Sequence, residues 1–494
     1  MASEKVNRVI VLGLSMIAVL YIFAVQLNSL NPFVSSWDQV DFALALERYD
    51  IRAMQPHFPG YPYFILGGLL TENIVHNPGQ ALVAFNVLFY ASSIIPVYFL
   101  SSRVVEKENA FVVAAAIYTA SFPLIIVNQP MSEGAALAAF WWYFWSIVAA
   151  ESRDSGKWML LPLFLFSVLL GIRLSYIPMG IGLIYLFYKK WTKQQLNLPD
   201  ILKFSAIAGL FQLIWVAGII LTEGSLGNFL ELAFGFTGGH FQEWGGTSIS
   251  NELSILERLQ AFLFTNILWW GIFSRTAVLM VLYILIGIFI FMPAPKSRIL
   301  KHSTVRLGIL LMLAYGGWAL FAQNIEKPRH ILPLALLLVF LCLIVFLKKR
   351  ALGFARFLAV AVIIAQAIIS SGYVQEQAES SPAVYQLADY LEGQTGDFVL
   401  YTWEETRVLQ FLEMPFAHKR IYTYKIFLHD QSLYEGKSVY LTNSVVDGFR
   451  SQGFNLQGKI EKIKTFKSNE IFDPVYHEIV LYKLDTVTGG ESHE

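Results

Sequence analysis

Residues Val9–Asp50 read VIVLGLSMIAVLYIFAVQLNSLNPFVSSWDQVDFALALERYD, and the change of character near Ser35 decides the fold. Val9–Leu27 is uncharged and long enough to cross a hydrocarbon core of roughly 30 Å. No small-residue cleavage site follows it, so it reads as an anchor rather than a signal peptide. The next stretch, Ser35–Pro62, holds Asp38, Asp41, Asp50, Glu47, Arg48, Arg52 and His57 beside that anchor. So much charge next to a membrane span needs a use.

The same alternation continues through the 494 residues, which are 55% hydrophobic and only 15% charged, with a mean hydropathy of +0.52. Soluble domains carry about a quarter charged residues. The chain therefore reads as a polytopic α-helical membrane protein of about eleven spans. They fall near 9–28, 79–102, 109–128, 133–150, 157–172, 176–190, 200–221, 275–293, 304–322, 329–347 and 353–371. Formal net charge is zero, which leaves no basic field for nucleic acid. The single cysteine, Cys342, excludes an internal disulfide.

Lys and Arg concentrate in alternate connections, among them Arg103, Arg153, Lys190 and Lys349, while the opposite side holds few, including Arg52, Arg173, Arg258 and Arg329. The richer side is expected to be cytoplasmic. That puts the N-terminus inside, and the first loop and the C-terminal region outside, of a plasma (inner) membrane.

Two domains are expected, residues 1–372 in the membrane and 373–494 outside it. Within the first outer loop, 29–78, Phe42, Ala45, Leu46 and Tyr49 recur at helical spacing opposite Glu47 and Asp50, as in an interfacial helix. Tyr61–Leu70 suits a second interfacial helix. A second outer loop, 222–265, contains the glycine- and aromatic-rich GFTGGHFQEWGGTS. After Ser371 the alternating stretches DFVLYT, SVYLTN and HEIVLYKL read as strands, with the helical PAVYQLADYLEG before them. No metal-binding spacing or phosphate-cradling glycine loop stands in that α/β region.

Ionisable groups near membrane depth are costly and are functional candidates by default. Asp38 falls on the helical line of Phe42, Ala45 and Tyr49, and a carboxylate held there suits a general base. Ser35-x-x-Asp38 also has the form of a helix capping box. Asp41, one turn on, is the alternative base. His57 is pinned between Pro56 and Pro59. Glu133 opens the fourth span on the outer face, where a helix N-terminus attracts a carboxylate in any case. Arg173 interrupts two apolar segments, and Arg329, followed by His330, opens the tenth span. Arginine matches phosphate oxygens bidentately and stays charged. Either arginine alone could be an interfacial anchor; the convergence of five distant places on one face is harder to explain that way. In the second outer loop His240, Glu243 and Trp244 are candidates for contact with an acceptor.

These positions resemble the motifs of the GT-C superfamily of integral membrane glycosyltransferases, in the branch of protein O-mannosyltransferases and the lipid A aminoarabinose transferase. That branch opens its first outer loop with an Asp-Glu pair, follows with a KPP or HPP stretch, places an acid at the fourth span and a late RY…P motif. Here the matching residues are Asp38-Gln39, His57-Phe58-Pro59, Glu133, and Arg329-His330 with Pro333. Gln39 stands where the second acid would be, and HFPGYP replaces HPP. The resemblance implies a polyprenyl-phosphate sugar donor and an acceptor that is a cell-envelope lipid, glycan or protein. It implies Asp38 as base, and Arg329 with Arg173, His57 or His330 at the donor phosphate. It makes no cofactor certain, and a divalent metal stays open. Two other classes compete: a transporter or flippase of lipid-linked saccharides, which favours polar groups at mid-membrane, and a polysaccharide ligase or polymerase, which concentrates them in a large late loop.

Overall fold

In hydrocarbon only a helix or a closed barrel satisfies every backbone N–H and C=O, so the long apolar runs fold as helices. The computed structural model describes residues 2–249, 253–291, 299–349 and 352–485. They divide into two compact units, one of Met1–Pro32 with Phe42–Glu379, the other of Phe33–Asp41 with Ser380–Glu494.

In chain order, α1 (Ala2–Asn28) is followed by α2 (Trp37–Glu47) and α3 (Pro62–Glu72) in the first outer loop. Then come α4 (Pro78–Ser92), α5 (Ile94–Ser102), α6 (Lys107–Tyr118), α7 (Ser121–Val127), α8 (Glu133–Glu151), α9 (Leu160–Ile172) and α10 (Ile181–Thr192). The unit continues with α11 (Leu198–Thr222), α12 (Leu226–Gly239), α13 (Ile255–Gln260), α14 (Ala277–Phe291), α15 (Ser303–Ala322), α16 (Leu332–Lys349) and α17 (Leu352–Glu379). Among the described residues six helices are long and apolar enough to cross a membrane, or eight spans if each of two bent pairs counts as one. The bends are 55° between α6 and α7 and 109° before α14. The remaining expected segments, 133–150, 157–172 and 176–190, lie on α8, α9 and α10. The chain is a multi-pass membrane protein.

α8 is the axis of this unit. All of it is buried except Trp142 and Trp145. Its EGAALAA start and the VVAAAIY of α6 present small side chains, which let helices approach closely where no hydrophobic effect drives them together. One end of the bundle is basic. Arg8 pairs with Glu108 at 3.5 Å, Arg356 with Glu106 at 3.1 Å, and Arg103 donates to Ser152 Oγ at 2.7 Å. Lys190 donates to the Arg153 carbonyl at 2.5 Å. Three of the residues used to orient the chain thus meet at one end; the side chain of the fourth, Lys349, lies outside the described residues. Glu133 opens α8 at the other end, about 28 Å away along 19 residues.

Two local features add to the sequence reading. The second outer loop is largely helical: LGNFLELAFGF keeps its apolar period, and α12 runs through the glycines into a π-helical turn at His240–Trp244. At the start of α2, the Ser36 carbonyl accepts the Val40 amide, and it is Gln39, not Asp38, that reaches back to the Ser35 amide at 2.8 Å. The reach-back comes from one residue later than the Ser35-x-x-Asp38 spacing implied, with the helix beginning at Trp37.

In the second unit α18 (Ala383–Glu392) precedes a five-stranded sheet of β1 (Phe398–Thr402), β2 (Ala417–Arg420), β3 (Ser438–Thr442), β4 (Ile460–Lys467) and β5 (Glu478–Leu484). Their order is β2-β1-β3-β5-β4. β1 pairs in parallel with β2 and β3, while β5 pairs antiparallel with β3 and β4. Helices α19 (Glu405–Phe411), α20 (Tyr424–Gln431) and α21 (Asn443–Ser451) make the connections. Val399, Tyr401, Phe427, Leu441 and Phe449 form the core between sheet and helices. The three expected strands are β1, β3 and β5. β2, of only four residues, and the lysine-rich edge strand β4 carry too little apolar alternation to read.

Candidate active site

Glu133 is placed from behind. Asn86, fully buried on α4, donates its amide to the carbonyls of Gln129 at 3.0 Å and Met131 at 2.8 Å, and its Oδ1 accepts from the Ala135 amide at 2.9 Å. One side chain thereby buckles the NQPMS turn to the first turn of α8. Gly134 permits the approach, since a Cβ there would stand 2.9 Å from Asn86 Cγ. The Glu133 side chain is only 3% exposed.

Two guanidiniums meet it. Arg173 follows α9 in an extended conformation, where it stops the helix and turns its side chain inward. Its Nη2 lies 3.1 Å from Glu133 Oε1, and its Nη1 donates to Ser132 Oγ at 2.8 Å. Arg329 sits in a short turn, Pro328–Ile331, whose proline starts a new helix rather than continuing the old. Its Nε lies 3.0 Å from the same Oε1. Glu133 has no in-line hydrogen bond to either oxygen among the described residues, so it is held by charge alone. Two guanidiniums thus meet one carboxylate oxygen in a site the chain has largely closed from water. Guanidiniums held in such a place match the oxygens of an anion. Tyr61, Tyr176 and Tyr315 lie within electrostatic reach of Arg173.

The second outer loop holds the Arg329 turn from the other side. Arg258, 2% exposed, donates to the carbonyls of Leu320 at 2.5 Å, Gln323 at 2.6 Å and Gly246 at 3.2 Å. A buried cation satisfied by the carbonyls at the end of α15 both caps that helix and opposes its dipole. Asn266 donates to the Ile325 carbonyl at 2.8 Å, and the Tyr315 hydroxyl to that of His330 at 3.0 Å. His240 adds a fourth tie, with Nε2 2.9 Å from the Ala322 carbonyl. That contact makes His240 part of the frame rather than a ready contact for an acceptor. Glu243 is exposed, and the Trp244 side chain lies outside the described residues.

His57 is packed against Phe42, Tyr61 and Phe236, and its Nε2 meets the Tyr61 hydroxyl at 2.9 Å, so it reaches the arginine cluster through Tyr61. The His330 ring bonds through Nδ1 to the Asn324 carbonyl at 3.2 Å, within its own turn. Arg52, in the first loop, pairs with buried Glu223 at the end of α11 at 3.0 Å. In the second unit, Asp38 lies in the first turn of α2 and is partly exposed. Asp41 is completely buried, and its Oδ1 accepts Nε and Nη2 of Arg407 at 3.1 and 3.0 Å. Among the described residues no three His, Cys, Asp or Glu gather in a metal-binding group.

The structure therefore brings Glu133, Arg173 and Arg329 together. It adds Asn86, Ser132, Arg258 and Tyr315, which the sequence reading missed. Asn86 carried one usable signal: a buried-type position, mid-span, occupied by an amide that must find partners.

No family model matches the sequence, and no curated protein matches it. Solved structures do. ArnT from Cupriavidus metallidurans bound to undecaprenyl phosphate matches with a TM-score of 0.54 at 11% identity, over 97% of this chain and 99% of that chain. The same protein in the apo state matches at 0.55, with the same identity and coverage. The oligosaccharyltransferase of Archaeoglobus fulgidus in the apo form matches at 0.48 and 11% identity, over 88% of this chain and 69% of that chain. The likeness to ArnT is one of fold, runs through nearly the whole of both chains, and bears out the GT-C-like architecture expected from the sequence.

Proposed function

We propose that this protein is a membrane glycosyltransferase that moves a sugar from a polyprenyl-phosphate donor to an extracytoplasmic acceptor. The observation that carries the reading is Glu133 with Arg173 and Arg329, a buried cluster that brings two guanidiniums onto one carboxylate oxygen. It stands in a fold shared with a protein solved with undecaprenyl phosphate bound. In this reading Arg173 and Arg329 bind the donor phosphate and stabilise the charge that grows on it as the glycosidic bond breaks. Glu133 holds both arginines in place and offers its second oxygen to a substrate hydroxyl. Asp38 takes the proton from the acceptor's hydroxyl or amine as that group attacks the anomeric carbon. A single displacement of this kind inverts the configuration there. Asp41, the alternative base, accepts from Arg407. The basic end of the bundle faces the cytoplasm, and the C-terminal unit is extracytoplasmic.

The test uses the purified chain in nanodiscs with a labelled polyprenyl-phosphate sugar, following label into a cell-envelope lipid, glycan or protein fraction. Transfer with release of polyprenyl phosphate supports the reading. Movement of intact donor across vesicles with no transfer establishes the flippase alternative instead. For topology, Gln457→Cys in a Cys342→Ala background is labelled by an impermeant thiol reagent from outside; labelling only from inside overturns the orientation.

A further inference from the structure

Residues Phe33–Asp41 belong to the first outer loop by sequence but to the C-terminal unit by contact. Within that unit they are gripped at both ends. The Val34 amide donates to the Tyr385 hydroxyl at 3.1 Å, and the Phe33 ring meets that of Tyr385 edge-on at 5.2 Å. Trp37 lies under two guanidiniums, Arg420 at 4.6 Å and Arg407 at 5.6 Å from its ring centre. Arg420 is itself set by Trp403 at 4.4 Å and Tyr422 at 4.6 Å. Asp41 then closes the grip by taking both Nε and Nη2 of Arg407 on one oxygen.

Asp38 lies between Trp37 and Asp41, both of which Arg407 contacts. We infer that Arg407 is a positioning residue, which fixes the first turn of α2 and with it the direction of the Asp38 carboxylate. The inference deepens the reading proposed above and rests on it for its catalytic consequence. A completely buried carboxylate is tolerable only while its partner stays. The fork of an arginine sets direction as well as charge, which a lysine cannot reproduce. Because the partners are 366 residues apart in the chain, the geometry of Asp38 depends on the folded C-terminal domain.

The experiment compares Arg407→Gln, Arg407→Lys and the double variant Asp41→Asn/Arg407→Gln in the full chain in nanodiscs. Three quantities are read: hydrogen exchange of the amides of residues 35–41, kcat for sugar transfer, and Kd for undecaprenyl phosphate. Arg407→Gln is expected to raise exchange at 35–41 while β1, β3 and β5 keep their protection. It should lower kcat by about ten- to a hundredfold, the cost of a misplaced group, with Kd unchanged. The double variant, with two amides that can bond to each other, should recover part of both losses, and Arg407→Lys should recover less than the double variant. Unchanged exchange at 35–41 overturns the inference. So does raised exchange with normal kcat, or loss of protection throughout the sheet, which marks a merely structural pair. A wild-type chain that transfers no sugar overturns the glycosyltransferase reading instead, while the exchange arm still decides whether Arg407 holds the turn.

Discussion

Glu133 Oε1 lies 3.0 Å from Arg329 Nε, joining the start of the central helix to a turn from much later in the chain. The same oxygen is 3.1 Å from Arg173 Nη2. This shared oxygen makes opposite predictions for its partners. Arg329→Ala removes a phosphate donor group and should weaken undecaprenyl phosphate binding about 10- to 100-fold, the worth of a charged hydrogen bond. Glu133→Gln removes the negative charge and should bind the lipid phosphate at least as tightly while turnover falls. Equilibrium binding in nanodiscs measures both. Weakened binding in Glu133→Gln that matches Arg329→Ala would mean the carboxylate is needed only to build the cavity.

A second prediction concerns the support behind Glu133. Asn86→Leu keeps the volume but strands two loop carbonyls and the Ala135 amide, at a cost of about 1–3 kcal/mol for each buried group left without a partner. Gly134→Ala presses a Cβ against Asn86 and should act in the same direction. Thermal unfolding in detergent should fall in both, and the double variant should be less than additive because one contact is shared. Full additivity would separate the two residues.

Arg258→Met tests the frame around Arg329. It leaves the carbonyls of Leu320 and Gln323 unpaired at the end of α15. Exchange at residues 323–329 should rise and lipid-phosphate affinity fall, although Arg258 itself contacts no donor in the proposed mechanism. An affinity equal to that of the wild type would detach the second outer loop from the site.

The sequence exposed much of this and concealed the rest for identifiable reasons. Apolar runs of membrane length are strong signals, and the described residues of the eleven expected segments lie largely on helix. Glu133, Arg173 and Arg329 stood out because charge near the membrane is costly. Their supports did not, since Asn86 and Arg258 matter through backbone carbonyls that no residue type advertises. In the second outer loop the glycines drew notice and the apolar period of α12 did not. Asp41 looked equivalent to Asp38 because its partner, Arg407, lies 366 residues further along the chain, and a single sequence carries no pairing information. The reach-back from Gln39 was missed by a single residue, the ordinary uncertainty of a helix end.

In the C-terminal domain, half-buried His418 meets the Thr406 hydroxyl through Nδ1 at 2.8 Å, and burial holds its imidazole below the usual range. A depressed pKa favours the neutral ring in the fold. The stability it contributes is complete above the unfolded value of about 6.5 and is lost as pH falls through the folded value. Unfolding of this domain, followed by exchange in β1 and β2, should ease between pH 7 and 5. His418→Gln should flatten that part of the profile. An unchanged slope would assign the acid sensitivity to the carboxylates.

The sharpest test of the chemistry is Asp38→Asn. The amide keeps the size of the side chain and its place in the first turn of α2 but cannot accept a proton. Loss of a general base commonly lowers rate by about 10²–10⁴. Donor binding should stay near the wild-type value, because the arginines assigned to the phosphate are untouched. Asp41→Asn is no neutral control, since it removes the buried charge that Arg407 meets. A better comparison is Asp50→Asn. Asp50 sits after the helix with a neighbouring guanidinium, that of exposed Arg48, as its partner, and loss of such an exposed pair costs little. Sugar transfer and donor Kd, measured on the same preparations, should separate Asp38→Asn from Asp50→Asn by at least about a hundredfold in kcat and by little in Kd. Near-normal turnover in Asp38→Asn would remove it as the base and leave proton transfer to another group. A parallel loss of donor affinity would instead make Asp38 part of the binding site.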